Sequence, residues 1–299
     1  MFMSLHYLRS SDHFRRDQRR LLGLVACIAA ALLFIGTQPA FAMRTEPLRV
    51  CADPNNLPFS NKREEGFENE LAELVAKSLG RSEVVYTWYP QRRGFSRNTL
   101  NKGRCDLIMG VPAGYEFAQS TMPYYRSTYV FVYREDSGLD IRSIEDPALH
   151  ELDIGVHVVG DDGSNTPGAE ALGRRGLGGN LVGYSIYGDY SQPHPPSRLI
   201  EAVAKGEVDI AIAWGPLAGY FASRQDVPLQ VVPVSPEIDQ GAVPFTFNIS
   251  MAVRKGNDDL HDQLEDVIRS HRPEIRSVLS RYGVPLLEPT TPQREPGEE

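Results

Sequence analysis

The chain has 299 residues, 41% hydrophobic and 23% charged, and 39 acidic against 31 basic residues leave it at −8. That acidity excludes phosphate-backbone binding, which needs clustered cations, so no nucleic-acid partner is expected; it suits steering toward a basic partner. Three cysteines and seven histidines without metal-ligand spacing exclude a zinc site.

The N-terminus reads as an export signal. Arg15, Arg16, Arg19 and Arg20 precede the apolar run 21–35, and Ala40-Phe41-Ala42 supplies a small–x–small cleavage pattern. The run is shorter than the roughly 20 apolar residues a spanning helix needs. A signal peptide over 1–42, cleaved after Ala42, places the mature chain in the periplasm. Losing five basic and two acidic residues moves the charge from −8 to −11. Cys51 and Cys105 remain. An oxidising compartment permits a bridge between them. However, Cys51 ends one predicted strand and Cys105 begins another, which in adjacent parallel strands separates them by ~10–13 Å. Their pairing stays open.

In chain order, 48–52 is a strand that stops in "DPNNLPFSN". A helix follows over 68–79, with Leu71, Leu74, Val75 and Leu79 on one face and Gly80 as its stop. A strand over 84–88, a helix after Pro90 in "YPQRRGFSRNTLNKG" and a buried strand "CDLIMGV" complete a βαβαβ unit. A second α/β unit opens with a strand in 152–160. A helix capped at Thr166-Pro167 follows, with Pro at its first position. Then come a strand in "NLVGYSIY", a helix from Ser197, a buried strand "VDIAIAW" and a helix in "PLAGYFASRQ". "FNISMAVRKGN" is a last strand. Helices after Asn257 (Leu260, Leu264, Val267, Ile268) and after Pro273 (Ile275, Val278, Leu279) end the ordered chain, and the polar 286–299 reads as a disordered tail.

From "LRVCADPNNLPFSN" through "KGRCDLIMGVPAG", "KGEVDIAIAWGPLAGYF" and "ISMAVRKGNDDLHDQLEDVI", about 47–284 resembles the periplasmic solute-binding proteins that close over amino acids. More narrowly, "YPQRRGFSRNTLNKGRCD" and "PYYRSTYVFVYR" look like the solute-binding-like J proteins associated with quinoprotein methanol dehydrogenases. The resemblance implies a two-lobed type II periplasmic binding protein fold. Each lobe would hold a mostly parallel sheet flanked by helices. The first lobe would comprise 43–136 and the return segment 246–285, the second 137–245, with hinge strands near Ser137 and Phe245–Phe247. It also implies a non-enzymatic accessory that binds a pyrroloquinoline-quinone-dependent methanol dehydrogenase and supports its maturation, with no cofactor of its own.

Amino-acid binders of this kind hold the ligand carboxylate with an Arg about a dozen residues past the Asp of the "CDLIMG"-like strand. Here that region reads Tyr115-Glu116-Phe117-Ala118. Where their ammonium-binding Asp follows the "VDIAIA" strand, this chain has Trp214-Gly215-Pro216. Both charge-assisted anchors are therefore missing. The candidate cleft residues are Asp53, Asn55, Asn56 and Phe59 after the first strand; Gln91, Arg92 and Arg93 at the head of the expected second helix; Tyr124, Tyr125 and Arg126; and Trp214. Each has a bland alternative. Asp and Asn satisfy tight turns, the arginines are solvated or reserved for an anion or acidic partner, the tyrosines stack along a strand, and Trp214 is core or cleft floor. Besides the J-type reading, a transporter receptor for a small non-amino-acid solute and a dehydratase on the same clamp remain open, because fold alone does not fix function.

Overall fold

The protein is described from a computed structural model over residues 46–158, 165–186, 192, 194–239 and 244–288; the expected signal peptide and residues 289–299 of the expected tail lie outside the described residues. In chain order the elements are β1 (Leu48–Ala52), β2 (Asn55–Asn56), β3 (Ser60–Asn61), α1 (Phe67–Ser78), β4 (Val84–Trp88), α2 (Phe95–Asn98), β5 (Leu107–Pro112) and the 16-residue β6 (Gln119–Arg134). Then follow β7 (Ile154–Val158), α3 (Pro167–Arg174), β8 (Leu181–Ser185), α4 (Arg198–Lys205), β9 (Ile210–Trp214), α5 (Gly215–Ala222), β10 (Leu229–Pro233), β11 (Thr246–Val253), α6 (Asp258–Ser270) and α7 (Arg272–Arg281).

Two sheets share β6. On the first-lobe side the order is β4-β1-β5-β11-β6, with β4, β1 and β5 parallel and β11 antiparallel to both neighbours. On the second-lobe side β6 lies between β10 and β9, and β9, β7 and β8 continue in parallel. Hydrogen bonding therefore runs unbroken through β6, where two separate sheets were expected. The first crossing is also earlier than expected: Thr128 pairs with Thr246 of β11, whereas Tyr129 pairs with Trp214 of β9. The chain changes lobes inside one long strand, not near Ser137. The return crossing coincides with Phe245, whose carbonyl accepts the Tyr129 amide at 2.7 Å.

α1 forms because Phe67, Leu71, Ala72 and Val75 fall on one face, and all four are fully buried. Its start depends on Gly66, where a Cβ would collide with the Phe59 carbonyl, and the Gly66 amide donates to the Asn69 side chain at 3.1 Å. α6 and α7 bury Leu264, Ile268, Ile275 and Leu279 in this same first-lobe core. Burying each such side chain contributes about 1.5–3 kcal/mol before entropy is counted.

Two local expectations are corrected and one open question is settled. Residues 91–94 do not open a helix: Gly94 is left-handed at φ 86°, and the only α-helix here is the single turn of α2. Arg92 and Arg93 thus sit on a loop and face no helix dipole. Thr166 occupies the N-cap of α3, but its hydroxyl donates to the His157 carbonyl at 2.8 Å and caps no amide. Cys51 and Cys105 are bridged, with Cα atoms 5.5 Å apart. Cys105 precedes β5 and packs over the same sheet face as Cys51, in a cluster with Phe95, Leu100 and Ile108. The separation along parallel strands therefore does not apply to it.

The last described residues are also tied down. The Leu287 amide donates to the Arg126 carbonyl at 3.0 Å, and the Ser127 hydroxyl donates to the Pro285 carbonyl at 2.6 Å. Order thus continues to Glu288, past the expected start of the tail at 286.

Candidate functional site

The carboxyl end of β1 releases a tight loop whose polar groups are spent on one another. Asp53, 3% exposed, accepts the Asn55 amide at 2.8 Å and the Gln91 amide at 2.6 Å, which joins the loops that follow β1 and β4. Its carbonyl accepts the Ser60 hydroxyl at 2.9 Å. The Asn56 side chain donates to Gln91 Oε1 at 3.3 Å. Asn55 reaches across: its side-chain amide donates to the Gln192 carbonyl of the second lobe at 2.8 Å. Next to it Leu57, 3% exposed, belongs to the second lobe's buried cluster with Leu199, Leu217 and Phe221. The first lobe thus sends a polar latch and an apolar plug into its neighbour.

Behind this loop lies a cavity of about 350 Å³ between the lobes. Such a volume suits a small ligand. Trp214, at the end of β9, forms one wall with Tyr129 and Phe247, its ring centroid 5.4 Å and 5.7 Å from theirs. Phe59 and Tyr125 line it too, linked through Phe67 at 5.3 Å and 6.1 Å. Burial pushes the Tyr125 and Tyr129 hydroxyls well above the ordinary phenol range, so both stay neutral donors.

The cavity also contains Glu68, the second residue of α1, at 7% exposure. Its Oε1 sits against Gly110, where a Cβ would collide with it. Burial, with the nearby Asp53 charge adding to it, pushes the Glu68 carboxyl up to about 8. Among the described lining residues none is basic.

Of the sequence-selected residues, Asp53, Asn55, Asn56, Phe59, Gln91, Tyr125 and Trp214 line this cavity. Arg92 and Arg93 do not; they are exposed on the 91–94 loop. The tyrosine–arginine run is divided by strand alternation. Of the three only Tyr125 lines the cavity; Tyr124 and Arg126 line a hollow of about 190 Å³ beside α7, which Tyr125 borders as well. Arg126 pairs there with Glu237 at 2.6 Å and donates to the Glu288 carbonyl at 3.3 Å, so it anchors the C-terminal segment. Sequence reasoning missed Glu68. A signal was present: Glu68 shares its helical face with Ala72, Val75 and Ala76, all buried. A carboxylate in register with an apolar stripe marks a group held away from water. Phe247 and Ile249 were passed over because β11 was read as a last strand and a hinge, and not as a wall of the cleft.

Residues 48–276 match the bacterial extracellular solute-binding proteins, family 3. The chain belongs to that family. It is 31% identical over 253 residues to protein MoxJ of Methylorubrum extorquens (strain AM1), covering 80% of this chain and 81% of that protein. Among solved structures, it resembles MxaJ from Methlophaga aminisulfidivorans MPT, with 31% identity and a TM-score of 0.71 over 80% of this chain and 100% of that one. It also resembles the periplasmic binding protein XoxJ from Methylobacterium extorquens AM1, with 36% identity and a TM-score of 0.67 over 81% and 100%. The architecture is the two-lobed type II binding-protein fold of these relatives. Among the described residues no helix is long and apolar enough to cross a membrane, and no group of three or more His, Cys, Asp or Glu is placed to hold a metal.

Proposed function

We propose that this protein is a periplasmic accessory of methanol oxidation, which docks a pyrroloquinoline-quinone-dependent methanol dehydrogenase and supports its maturation or activation by binding rather than by catalysis. The observation that carries this reading is the likeness to MoxJ, MxaJ and XoxJ over about four-fifths of the chain. The cleft agrees with it, since no basic residue stands among the described cavity residues to hold an amino acid's carboxylate. Asp53 is engaged by two backbone amides, so Glu68 has no second free carboxylate beside it for acid–base work.

The docking surface is the cleft rim, where Arg92 and Arg93 project beside the closed mouth. Their guanidinium groups suit acidic groups on the partner, and the acidic remainder of the surface steers a basic face toward it in a salt-dependent way. Replacing Arg92 and Arg93 by Ala should lower dehydrogenase activity in the native host while leaving the melting temperature of this protein unchanged. Deletion of the gene with no change in dehydrogenase level, cofactor content or activity would refute the proposal.

A further inference from the structure

We infer that the cavity between the lobes is a binding site for a small organic ammonium ion that carries no carboxylate. The inference is separate from docking at the rim, because it concerns what the closed clamp holds inside.

Three observations converge. Glu68 is a carboxyl at 7% exposure that lines the cavity, with no hydrogen bond or ion pair to any described residue. A buried carboxylate without a cation or donor is costly, so its site favours an occupant that brings positive charge and N–H or polarised C–H groups. None of the titratable groups that face Glu68 supplies a positive charge: Asp53 is an acid, Tyr86, Tyr124 and Tyr125 are phenols held neutral, and the amino end of α1 adds only a partial charge. An anionic ligand would meet two carboxyl groups and no described cation, and a carboxylate-bearing amino acid inherits that repulsion.

The rest of the lining is aromatic. Trp214, Tyr129 and Phe247 form a mutually packed wall, and Phe59 and Tyr125 add two more rings to the lining. Ring faces attract alkylated ammonium groups by cation–π interaction and also cover their methyl or methylene carbons. Above about pH 8, where Glu68 is ionised, a neutral apolar ligand would use the rings and leave its charge uncompensated.

Size and closure select a free molecule. At roughly 30 Å³ per water-sized group, about 350 Å³ admits on the order of ten non-hydrogen atoms. The Asn55–Gln192 hydrogen bond and the Leu57 plug close the rim, which suits a small ligand trapped between lobes better than an inserted chain.

The test is calorimetry and tryptophan fluorescence on the mature full chain, with choline chloride and its neutral isostere 3,3-dimethylbutan-1-ol at matched ionic strength. Choline should bind one-to-one at pH 8.5, at least about tenfold tighter than the alcohol. Its affinity should fall by up to about tenfold per pH unit below 8, as a proton competes for Glu68, while alcohol binding stays level. Glu68→Gln should reduce choline affinity about tenfold or more and leave the alcohol unaffected. Equal binding of choline and the alcohol by the wild-type chain would overturn the proposal without recourse to any variant. So would unchanged choline affinity in Glu68→Gln, or no binding of choline, tetramethylammonium and n-butylammonium. None of these outcomes bears on dehydrogenase docking.

Discussion

Replacing Glu68 by Gln should make the protein more stable at neutral and alkaline pH while changing little in acid. Its folded carboxyl is pushed up to about 8 from an ordinary value of 4.5, chiefly by burial and secondarily by Asp53. The folded state therefore holds a proton that the unfolded chain releases. Its advantage is whole below about pH 4.5, declines as pH rises to about 8 and is level beyond. At about 1.4 kcal/mol per pH unit, the span corresponds to roughly 4–5 kcal/mol. Gln keeps the shape and cannot ionise, so the variant escapes that decline. Urea titrations at pH 5 and pH 8.5 should show the two proteins nearly matched at the first and separated by several kcal/mol at the second. In thermal melts the alkaline difference should be on the order of 10 °C for a chain of this size. Parallel stability profiles, separated by less than about 0.5 kcal/mol from pH 5 to 8.5, would show that the Glu68 carboxyl is well solvated, and the reasoning would fail.

Removing the Cys51–Cys105 bridge by a double Ser substitution should cost about 4 kcal/mol, because it frees a 54-residue separation in the unfolded chain; reductant should produce the same loss in the wild type and none in the variant. Leu57→Ala should cost about 2–5 kcal/mol and enlarge the radius of gyration seen by small-angle X-ray scattering, as the plug between lobes is withdrawn. An unchanged scattering profile with a loss under about 1 kcal/mol would show that the lobes are held by something else. Gly219→Ala tests a close backbone approach. In an open helix it would gain up to about 1 kcal/mol, but here the new methyl meets the Gly283 carbonyl, so unfolding assays should record a loss instead.

The strand–helix order was readable because the apolar periods are clean: Leu71 and Val75 on α1, Leu264 and Ile268 on α6, and the unbroken "DIAIAW" of β9. The aromatic wall was half legible, since Trp214 ends a buried strand. What misled was local chemistry read without its tertiary partners. Pro90 announces a helix, yet the Gln91 amide is claimed by Asp53, 38 positions earlier, and left-handed Gly94 postpones the first turn to Phe95. Alternation along β6 was visible in the sequence, but which of Tyr124 and Tyr125 faced the cleft depended on β11 and α7, elements more than 120 residues away. The lobe boundary was hidden for a related reason. Nothing in "STYVFV" punctuates the chain, because the strand continues and only its partners change.

The short segment after α7 alters what kind of machine this clamp is. A binding protein whose lobes are joined by two strands turns about them as a door turns on its pins. Here a third strip lies over the pins: Pro285 and Leu287 are bonded to Ser127 and Arg126, and Tyr282 stacks 5.9 Å from Tyr220 of the second lobe. Rotation must shear that stack and peel the strip, so the resting angle is set by the C-terminus as much as by whatever the lobes enclose. Cutting the chain after Tyr282 would therefore act as a hinge mutation: it would loosen the swing while taking only Val284 and Leu286 from the margin of the first-lobe core.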